Sequence, residues 1–174
     1  PSGDYVLRLE VRDQAYNYKY VDVPVHLCQV NTYYYAPVLF SPNADGAKDT
    51  TAITAVFSVN ADWSISIKDA ANTEIRSFSG QGLELRQIWD GKDSTGVVVP
   101  DGAYTFNLSA TDHISGDNIL TGSGNIEIDT VPPTATITQP IPNSQISGTV
   151  VIKGTANDSH YDGAKSVLSW GQGV

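Results

Sequence analysis

The sequence predicts an all-β protein built from β-sandwich modules in tandem. Apolar and polar residues alternate with a period of two along most of the chain, whereas helical periodicity is scarce. Short clusters of Gly, Pro, Asp, Asn and Ser separate the alternating runs, as turns do in sandwiches. An internal repeat has a spacing of about one sandwich domain.

The alternating runs place ten strands along the chain. Turn residues such as Asp90-Gly91 and Asp101-Gly102 lie between them. Pro24 indicates an edge position, because proline cannot donate a ladder hydrogen bond. The predicted strands cover residues 5–12, 20–27, 51–59, 63–69, 74–78, 85–89, 104–112, 124–128, 134–138 and 149–154.

The repeat is the pattern P-x-G-x-Y-x-x-x-L-x-x-x-D, found at residues 1–13 and again at 100–112, an offset of 99 (100 − 1 = 99). Pro and Gly build a tight turn, and Tyr and Leu lie on one face of the following strand. Asp ends the strand, where it can accept hydrogen bonds from the amides of the next turn.

The position of the repeat predicts one complete module between two incomplete ones. The second copy, at residues 100–112, follows the opening strands of its module and so lies near that module's end. The first copy, at residues 1–13, should likewise lie near the end of a module. Asp129-Thr130-Val131-Pro132-Pro133 is typical of a stiff linker. We expect closing strands at 1–30, a linker at 31–36, the complete module at 37–128, a Pro linker at 129–133 and opening strands at 134–174.

Four motifs in the central segment occur in the order and spacing of a known family. They are F-S-P-N-A-D-G-A-K-D-T-T at 40–51, W-S-I-S-I-K-D at 63–69, I-W-D-G-K-D-S-T-G at 88–96 and V-P-D-G-A-Y-T-F at 99–106. With these motifs, residues 37–128 resemble the immunoglobulin-like (Ig-like) module of the flagellar hook-capping, or FlgD-like, family. The family usually opens with S-P-N-G-D-G, and Ala44 replaces its first Gly.

The flanking segments resemble Ig-like repeats of large bacterial adhesins and surface proteins. G-D-Y-V-L-R-L-E-V-R-D-Q-A-Y-N is similar to the end of such a repeat, with Tyr16 in place of the usual Gly. D-T-V-P-P-T-A-T-I-T-Q-P and G-T-V-V-I-K-G-T-A-N-D are similar to its start. The resemblance implies tandem Ig-like β-sandwich modules in a secreted bacterial protein.

Charge and cysteine content narrow the classes of partner. The net charge of −9 argues against nucleic acid, because phosphate binding needs clustered cations. It suits a surface protein or one that binds divalent cations. No apolar run is long enough for a membrane span. The single cysteine, Cys28, cannot form an intrachain disulfide and is expected as a small apolar strand residue, with a reactive thiol or an intermolecular disulfide as the alternative. We expect an extracellular or cell-surface location, where one cysteine favours a bacterial surface module over a disulfide-stapled animal domain.

The best candidate metal site is the segment 43–49, which lies in a loop that we call the acidic loop, residues 41–49. Asn43, Asp45 and Asp49 provide oxygen ligands around a glycine, a composition that suits Ca²⁺. Ca²⁺ needs six to eight oxygens, so water or another segment would have to contribute. The alternative is an Asx-rich turn, in which these side chains accept hydrogen bonds from backbone amides.

Tyr33, Tyr34 and Tyr35 form an aromatic cluster ahead of the first motif. They are candidates for an interface or for stacking on sugar rings. The alternative is a linker packed between modules.

The sequence favours a non-catalytic role. His26, His113 and His160 lie on separate segments without metal-ligand spacing, and no nucleophile elbow or phosphate loop occurs. The leading hypothesis is a structural or adhesive stalk, stiffened by Ca²⁺, whose partners are neighbouring Ig-like modules in cis. A second is a filament subunit in which copies of the chain complete each other's half-modules in trans. A third is an accessory spacer or glycan-binding module of a secreted enzyme.

Overall fold

A computed structural model describes residues 3–27, 30–163, 166–169 and 171. Within these ranges the protein is all-β, which confirms the predicted fold class, and no helix is long and apolar enough to span a membrane. Cys28 lies outside the described residues. The strands are β1 Gly3–Arg12, β2 Tyr18–Leu27, β3 Val30–Ala36, β4 Leu39–Phe40, β5 Thr51–Lys68, β6 Glu74–Trp89, β7 Gly102–Asp112, β8 Asn118–Ile128, β9 Thr134–Gln139 and β10 Lys153–Asn157.

The chain divides into two compact units, Pro1–Thr130 and Val131–Val174. The first unit contains the antiparallel hairpin β1–β2 and a six-stranded sheet, β3 to β8. The second contains the antiparallel pair β9–β10.

Two long strands organise the six-stranded sheet. The first half of β5 pairs with β3 and with the end of β6, and its second half pairs with β7 and with the start of β6. The register shifts between Val56 and Ala61, where the strands pass from one layer to the other. The sequence predicts two strands in the region of β5 and two in the region of β6. In β5, Ala61 is fully buried between polar neighbours, so the alternation continues without a turn.

The two layers enclose one hydrophobic core, as expected for a sandwich. One layer holds β3, the first half of β5 and the end of β6; the other holds the remaining halves with β7, β8 and β4. Edge-to-face ring contacts join them, including Trp89 with Tyr104 at 5.4 Å between centroids. The buried apolar residues are Phe40, Ile53, Ala55, Phe57, Ala61, Ile65, Ile67, Leu85, Trp89, Val99, Tyr104, Phe106, Leu108, Ala110, Ile126 and Ile128.

Three hairpin turns share one geometry. In each, an Asp carboxylate oxygen accepts hydrogen bonds from the amides two and four residues further on, as in an Asx turn. The Asp residues are Asp13, Asp69 and Asp93. The residue three positions later has a left-handed backbone, and these residues are Tyr16, Asn72 and Gly96. The predicted role of the Asp that ends the repeat is thus confirmed at Asp13, and Asp112 likewise accepts bonds from the amides of Ile114 and Ser115.

Further segments differ from their predicted form, among them β8, which begins at Asn118 and not at residue 124. Residues 31–36, predicted as a linker, lie within β3, which pairs with β5. The last predicted strand, 149–154, is shifted toward the C-terminus: β10 spans Lys153–Asn157, because its ladder with β9 begins at Lys153 opposite Gln139. The other domain boundaries stay predictions.

Candidate functional site

The acidic loop connects β4 to β5 and is closed by a hydrogen bond from the Ser41 amide to the Lys48 carbonyl, 2.8 Å long. The Asp49 side chain accepts hydrogen bonds from backbone amides inside the loop. One carboxylate oxygen of Asp49 accepts from the amide of Ala44 and the other from the amide of Gly46, both at 2.8 Å. Ala44 and Lys48 have left-handed backbones, with φ of 64° and 57°. The Asp49 carboxylate thus supports a turn whose backbone is otherwise costly.

Asn43 and Asp45 support each other in the same loop. The Asp45 amide donates to Asn43 Oδ1 (3.1 Å), and the Asn43 side-chain amide donates to Asp45 Oδ2 (3.0 Å). The other oxygen of Asp45 accepts from the Ala47 amide at 2.8 Å. Every side-chain oxygen of the three predicted ligands therefore already accepts a hydrogen bond within the loop. This is the Asx-rich turn expected as the alternative, and Ca²⁺ binding here stays a prediction.

The start of the loop packs on the turn that follows β6. A side chain at Gly91 would meet Pro42 Cγ at 2.6 Å, so only glycine allows this approach. The rings of Phe40 and Trp89 pack edge to face at 5.5 Å, and Trp89 Nε1 donates to the carbonyl of Lys92. Two of the sequence motifs, those opening at Phe40 and Ile88, are thus parts of one packed corner. Their role there is structural.

The three predicted interface tyrosines point to opposite sides of β3. Tyr33 and Tyr35 face inward and pack edge to face on Phe106, over Gly122 and Gly124 of β8. Tyr34 faces outward and is 66% exposed. Tyr34 is therefore the most exposed of the three, the other two are partly buried against the core, and an interface at Tyr33, Tyr34 and Tyr35 stays a prediction.

Hairpin β1–β2 has an uncovered apolar face, which we call the hairpin face: Leu7, Leu9, Val11, Val21 and Val23. These residues lie on one side of the ladder, with Leu7 opposite Val23 and Leu9 opposite Val21. All are more than half exposed. The sequence predicts the alternation that creates this face, but alternation alone does not show whether a face is covered.

The opposite face of the hairpin is polar and well paired. Arg8 binds Asp22 through two hydrogen bonds and lies 4.5 Å from the centre of the Tyr20 ring. This ion pair lowers the pKa of Asp22 from its ordinary value. The hairpin is therefore amphipathic, with one side suited to water and one suited to packing.

The second unit contains an open groove of about 960 Å³ over β9–β10, which we call the β9–β10 groove. Ala135, Ile137, Gly154 and Ala156 line it, and Ile152 and Leu168 add exposed apolar surface. Ala135 lies opposite Ala156, and Ile137 lies opposite Gly154. Small residues around one Ile thus form part of the lining, and polar and charged residues that include Asp158, His160 and Asp162 form another part.

A polar cluster that the sequence does not indicate lies at the bend of β5. Asp62 Oδ2 lies 2.9 Å from His113 Nδ1, and Gln81 Nε2 donates to Asp62 Oδ1 at 3.0 Å. The bond to His113 holds the pKa of Asp62 below its ordinary value, with a contribution from Gln81. These residues come from three strands and loops far apart in sequence, so only folding brings them together. Asp62 and His113 are about half exposed, and their contact ties the loop after β7 to β5.

Comparisons with known proteins give one family match and one structural likeness. No curated protein matches the chain. The crystal structure of dimeric latent PorU from Porphyromonas gingivalis is similar over 74% of this chain, at 14% sequence identity and a TM-score of 0.41. This chain spans only 12% of that protein. Residues 41–113 match the family model of the FlgD Ig-like domain, which confirms the family resemblance predicted from the four motifs.

Proposed function

We propose that the chain is a non-catalytic structural part of a bacterial extracellular or cell-surface protein in which Ig-like modules follow one another in series. The observation that carries the proposal is a difference between two copies of one sequence pattern. In β7, Tyr104 is 6% and Leu108 is 1% exposed, whereas the equivalent Tyr5 and Leu9 in β1 are 42% and 65% exposed. The same strand type is covered in one place and uncovered in the other.

An uncovered two-stranded sheet supports an array. A hairpin alone is marginally stable in water, and a sheet with one apolar face needs a second layer. Hairpin β1–β2 and the pair β9–β10 both have such faces, on either side of a complete sandwich in sequence. Each is best understood as part of a further module.

The charge distribution suits a protein that works in solvent. Residues 31–130 contain 13 Asp and Glu against 5 Lys and Arg, a net charge of 5 − 13 = −8. A net charge far from zero favours solubility of this module. For an extracellular protein, the scarcity of cysteine favours a bacterial module over the disulfide-rich domains of animals.

Stiffening by Ca²⁺ is the finer part of the proposal. The support is the grouping of Asn43, Asp45 and Asp49 in one loop, where each oxygen that accepts an amide hydrogen bond keeps a second lone pair. An adhesive role would use Tyr34 most, because Tyr33 and Tyr35 are partly buried against the core.

The experiment uses the native protein in its cells. Protease added to intact cells should release fragments of this sequence, and the central sandwich, residues 30–128, should survive as a resistant core. The intact native polypeptide should also contain strands that form further Ig-like modules. Protection of the sequence in intact cells, with cleavage only after lysis, would overturn the surface location. Catalytic turnover of a substrate by the purified chain would overturn the non-catalytic role, provided that the activity disappears when the chain is unfolded.

A further inference from the structure

The chain enters and leaves the central sandwich, residues 30–128, at opposite ends. Strands β3 and β4 run alongside β8 in the same direction, since Tyr33 lies over Gly122 in the first half of β8 and Phe40 pairs in parallel with Ile128 at its end. The start of β3 is therefore at the same end of the sandwich as the start of β8. The chain enters at that end and leaves at the other, after Ile128.

The sandwich lies within the chain, because β2 ends at Leu27 before it and β9 begins at Thr134 after it. A pull between the two flanking segments therefore reaches the sandwich through β3 and through the residues that follow β8. Such a pull draws β3 and β4 toward one end and β8 toward the other. The neighbouring strands are then forced to slide past each other along their own axes, which is loading in shear.

The parallel pair β4–β8 resists this sliding. The amide of Glu127 donates to the carbonyl of Val38 at 2.8 Å, and the amide of Asp129 donates to the carbonyl of Phe40 at 3.2 Å. These bonds cross from one strand to the other, so a pull along the strands loads them together. A pull that peels the strands apart from one end loads the same bonds one after another.

Two further contacts hold the same pieces of chain. At the exit, the Asp101 carboxylate accepts from the amide and the hydroxyl of Thr130, each at 2.9 Å, which ties the end of β8 to the turn before β7. In β3, the hydroxyl of Tyr33 donates to the carbonyl of Ser123 at 3.1 Å, and the ring lies over Gly122. Sliding β3 along β8 therefore also requires the Tyr33 ring to leave its place.

We propose that the central sandwich bears tension along the chain, and that the parallel pair β4–β8, loaded in shear, sets its resistance. The inference rests on the proposed structural function and goes beyond it, because it assigns the module a mechanical role in one direction of pull. Forced unfolding is governed by the rate of unfolding, not by the free energy of unfolding. The unfolding rate under force should consequently depend on the direction of pull.

The first experiment compares two directions of pull in optical tweezers at constant force. Handles are attached to the two ends of the full chain, or to Ala47→Cys and the C-terminal end, with Cys28→Ser in both proteins. Ala47 lies in the acidic loop that follows β4, so the second arrangement peels β4 from β8. With handles at the two ends, unfolding of the sandwich lengthens the chain by roughly 300 Å, which identifies the step. Pulling from the two ends should give unfolding at least about tenfold slower at the same force, because the bonds must break together.

The second experiment pulls three variants from their two ends. Asp129→Pro removes the amide that donates to Phe40, whereas Asp129→Ala removes the same side chain and keeps that amide. Gly96→Ala weakens the fold in the turn at residues 93–97, which belongs to neither β4 nor β8. Fluorescence of the buried Trp89 checks that each variant is folded.

Asp129→Pro should unfold about tenfold faster than the wild type at the same force, since it loses one bond of the loaded pair. Asp129→Ala and Gly96→Ala should stay within about twofold of the wild type, because the pair β4–β8 is intact in both. For Gly96→Ala this holds although its equilibrium stability is lowered, since the turn at 93–97 is still formed when β4 leaves β8.

Equal unfolding rates in the two directions of pull overturn the proposal, and this comparison decides even if Asp129→Pro does not fold. An Asp129→Ala or Gly96→Ala variant that unfolds as fast as Asp129→Pro also overturns it, because the pair β4–β8 then does not set the rate. Either result leaves the structural function standing, since protease treatment of intact cells and the assay for turnover test that function separately.

Discussion

The ring of Tyr35 meets the ring of Phe106 edge to face, with centroids 4.9 Å apart, above the bare backbone of Gly124. This contact brings β3 against β7 and β8, so it joins the two layers of the sandwich. Tyr33 repeats the arrangement two residues away, over Gly122, and its hydroxyl donates to the carbonyl of Ser123. Aromatic residues on one strand thus fill the space left by glycines on the facing one.

Gly124→Ala is expected to destabilise the sandwich by about 1–3 kcal/mol, because the added carbon overpacks the site. It would lie 2.5 Å from a Phe106 ring atom and 2.6 Å from a Tyr35 ring atom. Urea unfolding followed by Trp fluorescence measures the change. Ser123→Ala is the matched control, since Ser123 is the exposed neighbour on the same strand and should change stability little. Equal stability of the two variants would contradict the packing of Tyr35 over Gly124.

The tyrosine cluster gives a second prediction. Tyr35→Ala should cost about 3 kcal/mol, since it removes a ring that closes the core. Tyr34→Ala should cost less than about 0.5 kcal/mol, because Tyr34 is exposed on the outer face of the same strand. Chemical denaturation of the two variants checks the order. A larger loss for Tyr34→Ala would mean that residue 34, and not 35, faces the core.

The shared hairpin turn predicts substitutions of opposite sign at equivalent positions. Gly96→Ala should destabilise by about 1 kcal/mol, because Gly96 has a φ of 86° and the added carbon meets nothing within 4 Å, so the whole cost is backbone strain. Asn72→Gly, at the same place in the turn after Asp69, should be neutral or slightly stabilising. Thermal unfolding compares them, and a stabilising Gly96→Ala would contradict the left-handed conformation there.

The fold class and most strands follow from the sequence, because alternation reports which residues share a face. Alternation does not report what lies against that face. Leu9 and Leu108 occupy the same place in one pattern, yet one is exposed and the other buried. The role of Tyr33 and Tyr35 cannot be predicted from the sequence for a related reason. It depends on Gly122 and Gly124, which are about 90 residues away in sequence. The position of the acidic loop is predicted from the sequence. Its internal hydrogen bonds are not, because they require the left-handed backbone of Ala44.

Asp93 predicts a pH dependence of stability. The hydroxyl of Thr95 and the amide of Val97 donate to its carboxylate and hold the pKa of Asp93 below its ordinary value of 3.8. A lowered pKa in the folded state stabilises the fold fully above pH 3.8, and this contribution is lost as the pH falls through the lower folded value. Asp93→Asn should therefore be less stable than the wild type at pH 7, with a gap that narrows in acid.

Thr95→Ala tests whether the Thr95 hydroxyl causes the lowered pKa of Asp93. It removes the hydroxyl that contributes most to the shift, so the pKa of Asp93, followed by carbon NMR of the carboxyl group, should rise toward 3.8. A pKa that stays where it was would show that the backbone amides alone hold it.

The acidic loop gives the last prediction, which separates a turn from a metal site. Asp49→Ala leaves the amides of Ala44 and Gly46 without their acceptor, so it should lower stability by about 1–2 kcal/mol even with a chelator present. Calorimetry with chelator measures this loss. Thr50→Ala, the exposed neighbour, is the control.

The same calorimetry with added Ca²⁺ tests the predicted metal. If Asn43, Asp45 and Asp49 bind the ion, the melting temperature of the wild type should rise with Ca²⁺ concentration, because a ligand that binds only the folded state stabilises it. Asp45→Asn keeps an oxygen that can accept the Ala47 amide but loses the charge, so it should retain the turn and lose the response. If the wild type does not respond to Ca²⁺ and Asp49→Ala is destabilised, the metal prediction is wrong. The loop is then a turn that is stabilised by hydrogen bonds alone.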